Sequence, residues 1–232
     1  MTSSQLAFSV PVPPVGVQLA LPPVPPPPPL VEGLPLAGEQ AEAFLRAAWV
    51  LNRTPIGKGI TRPDRVSLTD GTRTCRGVWK TINDRRMGLQ RIEGGGYEFD
   101  FRDSWKSEVA AYELDKLLEL QMIPPTVEKR VKGELGAAVM WVAPVQSFKQ
   151  MGGVPTPPAA HVDSWNRQMS RAKMFDNLIN NRDPNLGNWL VDPAWNLILI
   201  DHTRAFAPRG RNMVHQMNRI ERGLWDRMLK LD

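Results

Sequence analysis

Apolar positions recur at a helical period in some stretches of the chain and alternate in others, and the two patterns are unevenly distributed. In EQAEAFLRAAWVL, Ala41, Phe44, Leu45, Ala48 and Trp49 fall on one stripe, which predicts a helix. RVSLTD and TRTCRGVWKTI, parted by a Gly-containing turn, alternate as paired strands. The polar segment after them, with Gly94, Gly95 and Gly96, reads as a loop. SWKSEVAAYELDKLLELQ is the clearest helix: Ala110, Leu114, Leu117, Leu118 and Gln121 share a face, and Ser104 is placed to cap it. PPTVEKRV and GAAVMWVAPV predict two more strands, and GGVPTPP a loop. HVDSWNRQMSRAKMFDNLINN is helical, with Met169, Ala172, Phe175 and Ile179 aligned. A hairpin follows, NWLV and LILI around the turn DPAWN, and then a last helix on Met217, Ile220, Leu224, Met228 and Leu231. The order is β-rich with one helix, then mostly helical. It predicts an α+β fold with two lobes around a cleft.

Composition changes the picture at the N-terminus. The first 36 residues hold 11 of the 22 prolines and a single charge, Glu32. PPVPPPPPL lacks backbone donors and favours extended polyproline II. Residues 1–36 are therefore expected to be a disordered tail or linker, a spacer or a ligand for a Pro-recognising protein. Residues 37–232 form the domain, with a β-rich lobe over about 37–145 and a helical one over about 146–232. With 42% hydrophobic and 23% charged residues the chain reads as an ordinary soluble globular protein. A net charge of +5 suits anionic ligands, but the charges are interspersed and no stacking platform is evident, so no nucleic-acid partner is expected. The single cysteine, Cys75, excludes an internal disulfide and a Cys/His zinc site, and reads as a buried, inert thiol. No apolar run approaches the ~18 residues of a membrane span, and the N-terminus lacks a basic n-region. A cytoplasmic location is the expectation.

Candidate chemistry concentrates in NNRDPNLGNWLVDPAWNLILIDHTRAF. Asn188 begins the first strand of the hairpin and Asp201 ends the second, so the hairpin brings them side by side. Asp183 lies just upstream, in a loop held by Pro184 and Gly187. Two carboxylates and an amide oxygen then converge, a hard-oxygen set suited to Mg²⁺ and phosphate. Such a site needs a cation for the phosphates and an acid to hold that cation. Lys80 ends the strand GVWK, and Glu108 comes early in the following helix, where Glu113 and Asp115 are alternatives. Gly57 and Gly59, in TPIGKGITRPDRV, are candidates for a phosphate-cradling turn or for an ordinary one. Asp192 reads as a turn residue before Pro193. His202 is open to either a phosphate or a structural role, while His161 and His215 have no evident partner.

Asn181-Arg182-Asp183 followed by Asn188 is similar to the H-R-D-x-x-x-x-N loop of protein kinases, with Asn for His, and Asp201 stands where their metal-binding Asp would. Over roughly residues 55–230 the chain resembles the atypical kinases: the Golgi secretory-pathway kinases, the HipA-type bacterial kinases and the phosphatidylinositol kinases. The segments SEVAAYELDKLLELQMIPPTV, FDNLINNRDPNLGN and LIDHTRAF carry the likeness, nearest to the secretory-pathway kinases and their bacterial relatives. The resemblance implies a protein-kinase-like fold that uses ATP and Mg²⁺ or Mn²⁺. Lys80 would contact phosphates, Glu108 would order Lys80, Asp183 would be the catalytic acid–base, and Asn188 and Asp201 would hold metal. MWVAPVQSF resembles the strand entering the interlobe hinge, where adenine would stack. Many relatives have Asp-Arg-His where this chain has Asp183-Pro184-Asn185. They also continue beyond the position of Asp232, which implies a minimal or truncated C-lobe, or one completed by a partner. The expected activity is transfer of the γ-phosphate to a protein, lipid or sugar hydroxyl. The alternatives are a pseudokinase-like scaffold and a small-molecule kinase of aminoglycoside or choline type.

Overall fold

In the computed structural model, which describes residues 26–31, 36–57, 63–91, 96–207 and 213–231, strands dominate the first two-thirds of the chain. The order is β1 (Leu30–Val31), α1 (Gly38–Ala47), β2 (Trp49–Pro55), β3 (Asp64–Thr69), β4 (Thr74–Lys80), β5 (Asn83–Arg91), β6 (Tyr97–Ser104), α2 (Trp105–Leu117), β7 (Thr126–Val131) and β8 (Glu134–Met140). Then come β9 (Gln146–Ser147), α3 (Val162–Leu178), β10 (Trp189–Val191), β11 (Leu197–Leu199) and α4 (Arg222–Met228). The fold is mixed α+β.

The largest sheet has the order β2-β3-β4-β8-β7, with β1 running parallel to the start of β4. β4 is central, pairing β3 on one edge and β8 on the other; Cys75, Gly77 and Trp79 share its core face, with Gly77 against Val66 and Leu68. Helix α1 covers the sheet through Phe44 and Leu45, which meet Leu68, Trp79, Val127 and Met140 in one hydrophobic core. A second core gathers Phe148, Phe175, Ile179, Trp189, Leu199 and Leu224 from the β11-β10-β9 sheet, α3 and α4. Helix α2 serves both sides: Ala111, Tyr112 and Leu118 belong to the second core, while the helix packs on β7 and β8 of the large sheet. Residues 141–145 connect β8 to β9, between Met140 of the first core and Phe148 of the second. No helix among the described residues is long and apolar enough to cross a membrane.

Several expectations change. The first helix stops at Ala47, and Trp49 is an exposed residue of β2 paired with Thr69. The apolar stripe runs on in sequence, but pairing with β3 captures it, as tertiary context often overrides local pattern. The polar stretch read as a loop forms a separate hairpin, β5-β6. Helix α2 buries only part of its apolar stripe: Leu118 is inside and Leu114 packs against the second core, but Ala110, Leu117 and Gln121 are exposed, while Ser107, Glu108 and Asp115 are inside. The last helix spans only Arg222–Met228, leaving Met217 and Ile220 outside it. At the N-terminus, Leu30–Val31 joins the sheet and Leu36 is buried, so the ordered part reaches back before residue 36. Residues 1–25 and 32–35 of the expected tail lie outside the described residues, as do Gly59, Gly94 and Gly95.

Candidate functional site

Lys80 is held at the end of β4 by its pairing with Ala137 of β8. Gly136 makes this fit: a Cβ there would stand 2.4 Å from the Lys80 carbonyl oxygen. The Lys80 ammonium donates to Glu108 Oε1 at 3.0 Å and to Asp201 Oδ1 at 2.9 Å. The other Glu108 oxygen accepts the backbone N–H of His202 at 2.7 Å. Strand, helix and loop therefore meet on one ion network whose members lie 28 and 121 residues from Lys80 in sequence.

The start of α2 is fixed to the chain that follows Asp201. Ser104 caps the helix by accepting from the Lys106 N–H, and its own N–H donates to the Thr203 carbonyl at 2.9 Å. Ser107 Oγ donates to the Ala205 carbonyl at 3.1 Å. These bonds explain why the polar face of α2 is the buried one. Of its three acids only Glu108 reaches Lys80, since Glu113 pairs with Lys116 and Asp115 accepts the Met122 N–H.

Charge is balanced within the network. Burial works against the Lys80 ammonium, but Asp201 and Glu108 outweigh it and hold the amine charged far above its ordinary range. Burial pushes the Asp201 carboxyl up, yet the facing Lys80 dominates and holds it below the usual range. The Asp201 side chain is still 36% exposed, so it opens to solvent as the two other members do not. His202 is buried next to it, which pushes its imidazole below the ordinary value and favours the neutral ring. That ring meets Phe175 edge-on, the structural role left open above. Asp201 sits at φ 63°, in the left-handed region that non-glycine residues rarely occupy and that clusters at functional sites.

The loop before the hairpin is bonded as closely. Asp183 N–H donates to Asn181 Oδ1 at 3.0 Å, and Asn188 Nδ2 donates to the Asp183 carbonyl at 3.1 Å. The Ile200 N–H donates to the Asn188 carbonyl at 3.0 Å, and the Arg182 N–H to the Arg204 carbonyl at 3.2 Å. Asp183 and Asn188 thus flank the Asp201 turn through the backbone. Asn185 donates to Asp183 Oδ1 at 2.9 Å and accepts from the Gly187 N–H. Behind the loop, buried Asp176 accepts from Asn181 and faces His215 Nε2 at 2.9 Å, so His215 does have a partner.

Gly57 stands in the turn region between β2 and β3, at φ +70° with open space around it. That turn is at the Lys80 end of the sheet, because Asp64 at the start of β3 pairs with Trp79. Among the described residues no hydrogen bond joins Gly57 to the network.

Asp103 and Asp176 escaped sequence reasoning, and Asn181 entered it only as the Asn standing for the motif's His. Asp103 is buried at the end of β6, and one of its carboxylate oxygens has no partner among the described residues. Burial pushes its carboxyl up, and Asp201 adds to the effect against the pull of Thr203, Arg204 and Lys80. Its only signal was its place one residue before the helix cap.

Among the described residues no group of three or more His, Cys, Asp or Glu side chains is arranged to hold a metal. The oxygens left uncommitted are nevertheless hard donors. Lys80 and Thr203 use Asp201 Oδ1, leaving Oδ2; Asn188 spends its amide N–H on Asp183, leaving its carbonyl oxygen. The orphaned oxygen of Asp103, whose carboxyl feels the charge of Asp201, is a further hard donor of the type that divalent cations take. No protein-family model matches the chain, and no curated protein sequence is significantly similar to it.

Proposed function

We propose that the protein is an ATP- and Mg²⁺-dependent phosphotransferase with a two-lobed, protein-kinase-like fold, acting on a hydroxyl acceptor. The observation that carries this reading is the buried Lys80–Glu108–Asp201 network at the junction of the two cores. A lysine with two carboxylates is costly to bury for stability alone, because desolvation offsets much of the attraction. Placed at a strand end, a helix start and a loop, the three groups serve phosphate and metal chemistry better than packing.

In this reading Lys80 neutralises the phosphates of ATP, and Glu108 keeps Lys80 pointed at them. Asp201 and Asn188 hold Mg²⁺, with Mn²⁺ as the other suitable ion, and the bound cation supplies charge neutralisation on the transferring group. Asp183 accepts the proton of the acceptor hydroxyl as its oxygen bonds to phosphorus and ADP departs. Asn185 orients the Asp183 carboxylate through its amide, the role left vacant by the missing Arg-His pair. The turn carrying Gly57 would cover the phosphates.

The test is thermal stabilisation of the wild type by Mg-ATP, compared with Asp201→Ala, followed by labelled-phosphate transfer to protein, lipid and sugar acceptors. A Mg-ATP-dependent rise in melting temperature that Asp201→Ala abolishes is expected, with transfer lost in Asp183→Ala. A folded wild type that does not respond to Mg-ATP would overturn the reading. Binding without transfer would make the protein a nucleotide-binding scaffold.

A further inference from the structure

His215 lies past the β10-β11 hairpin, before α4, and belongs to no helix or strand. Its backbone is fixed all the same. The His215 N–H donates to Asn177 Oδ1 at 2.8 Å, and Asn177 Nδ2 donates to the His215 carbonyl at 2.9 Å. The ring meets Trp189, the residue after Asn188, edge-on at 5.5 Å. So held, its Nε2 faces Asp176 Oδ2 at 2.9 Å. An ionised carboxylate only accepts, so Nε2 is the atom that carries the hydrogen.

Asp176 is 1% exposed, and among the described residues His215 is its only ion-pair partner. Its other carboxylate oxygen accepts from Asn181 Nδ2 at 2.9 Å, and its carbonyl accepts the Asn181 N–H at 3.0 Å. Asn180, just before Asn181, stands at φ 48°. Helix α3 therefore ends in a Schellman turn that Asp176 holds through main chain and side chain alike. With its Nδ2 on Asp176, Asn181 has Oδ1 left for the Asp183 N–H, which it accepts at 3.0 Å. Turning the amide over would set donor against donor at Asp183 and acceptor against carboxylate at Asp176.

We propose that His215 is a positioning residue for phosphotransfer: through Asp176 and Asn181 it fixes the Asp183 backbone, and with it the carboxylate that takes the acceptor's proton. The inference rests on the phosphotransferase reading and adds to it a residue that touches neither substrate nor cation. A histidine kept only to fill space beside Trp189 needs no donor aimed at a buried carboxylate. Withdrawing that donor leaves Asp176 Oδ2 unsatisfied almost out of reach of solvent, which favours a turn of the carboxylate away from Asn181. A displacement of the acid–base by about 1 Å is enough to lower turnover about 100-fold. The bonds of Lys80, Glu108 and Asp201 to one another lie outside this relay, so nucleotide binding should be spared.

The experiment compares the full chain with His215→Leu, which keeps apolar volume beside Trp189 without a donor, and with His215→Gln, which returns a donor. Amide hydrogen exchange at Asp183 is measured against that of core strand β4, and ADP release from Mg-ATP is followed with water as the acceptor. In His215→Leu the Asp183 amide should exchange about tenfold faster while β4 does not follow. Its kcat should fall about 10- to 100-fold with KM for ATP little changed. His215→Gln should recover most of both losses. Asn181→Ala cuts the relay one link later and should reproduce them, which keeps the test open should His215→Leu not fold. Unchanged exchange at Asp183, a parallel rise in β4, or unchanged kcat in an active protein overturns the proposal. So does a His215→Gln chain that behaves like His215→Leu. Wild type without ATP turnover would sink the phosphotransferase reading instead, and exchange at Asp183 would still decide whether His215 holds the loop.

Discussion

Lys80 has a carboxylate on either side and almost no solvent, so its removal should be felt well beyond the lost charge. Lys80→Met leaves the Glu108 carboxylate buried with only the His202 N–H to satisfy it. Breaking a buried pair from one side costs about 3 kcal/mol or more, and much of that should return in Lys80→Met with Glu108→Gln. Urea unfolding of the two variants checks this, and full independence of the two changes would contradict it. Asp115 offers a second test. Burial pushes its carboxyl up to about 6 from 3.8, despite the backbone N–H groups of Met122, Ile123 and Gln121. The folded protein therefore holds a proton there that the unfolded chain releases, and stability from this group falls as pH rises from about 4 to about 6. The loss approaches roughly 3 kcal/mol at about 1.36 kcal/mol per pH unit. Asp115→Asn should flatten the unfolding free energy across that window relative to wild type, measured at pH 4.5 and pH 7. Lys80 was legible in the sequence as a strand-end lysine, but Glu108 was one of three acids on its helix until the Lys80 contact singled it out. Asp103 and Asp176 were not legible, since their partners come from segments more distant than any local period, or lie in a neighbouring turn whose direction the pattern leaves open.

At the level of elements, polar caps and close approaches decide where the site sits. Ser104 caps α2 and also donates to Asn83. Ser104→Ala should cost about 1 kcal/mol of stability. Gly136→Ala drives a methyl group into the Lys80 carbonyl, which should cost roughly 1–3 kcal/mol through overpacking. It should also weaken Mg-ATP binding, because β8 fixes the end of β4, and calorimetric titration reads that second effect. The α2 helix was found correctly but turned the wrong way. Its apolar stripe is partly solvent-facing because the inner face carries Ser107, Glu108 and Asp115, each paid for by a hydrogen bond to another segment. The β5-β6 hairpin was invisible for the opposite reason. Its apolar residues point outward, its strands carry a bulge between Arg86 and Leu89, and no buried face imposes a clean alternation.

For the whole molecule, helix α2 and the Lys80–Glu108–Asp201 network are among the ties that join the two cores. Because α2 packs into both, wild-type unfolding should be a single cooperative transition, with calorimetric and van't Hoff enthalpies in agreement. Asp201→Ala combined with Ser107→Ala removes two ties between α2 or the large sheet and the loop after β11. That variant should broaden the transition, or split it, in scanning calorimetry. The same network has a thermodynamic consequence for ligands. Lys80 and Asp201 neutralise one another, so an anion that approaches Lys80 must compete with a carboxylate, and a cation that approaches Asp201 must compete with an ammonium. Either ligand alone is opposed by the residue the other would release. Cation and nucleotide should then each raise the affinity of the protein for the other by an equal factor, a reciprocal linkage built into one 2.9 Å contact.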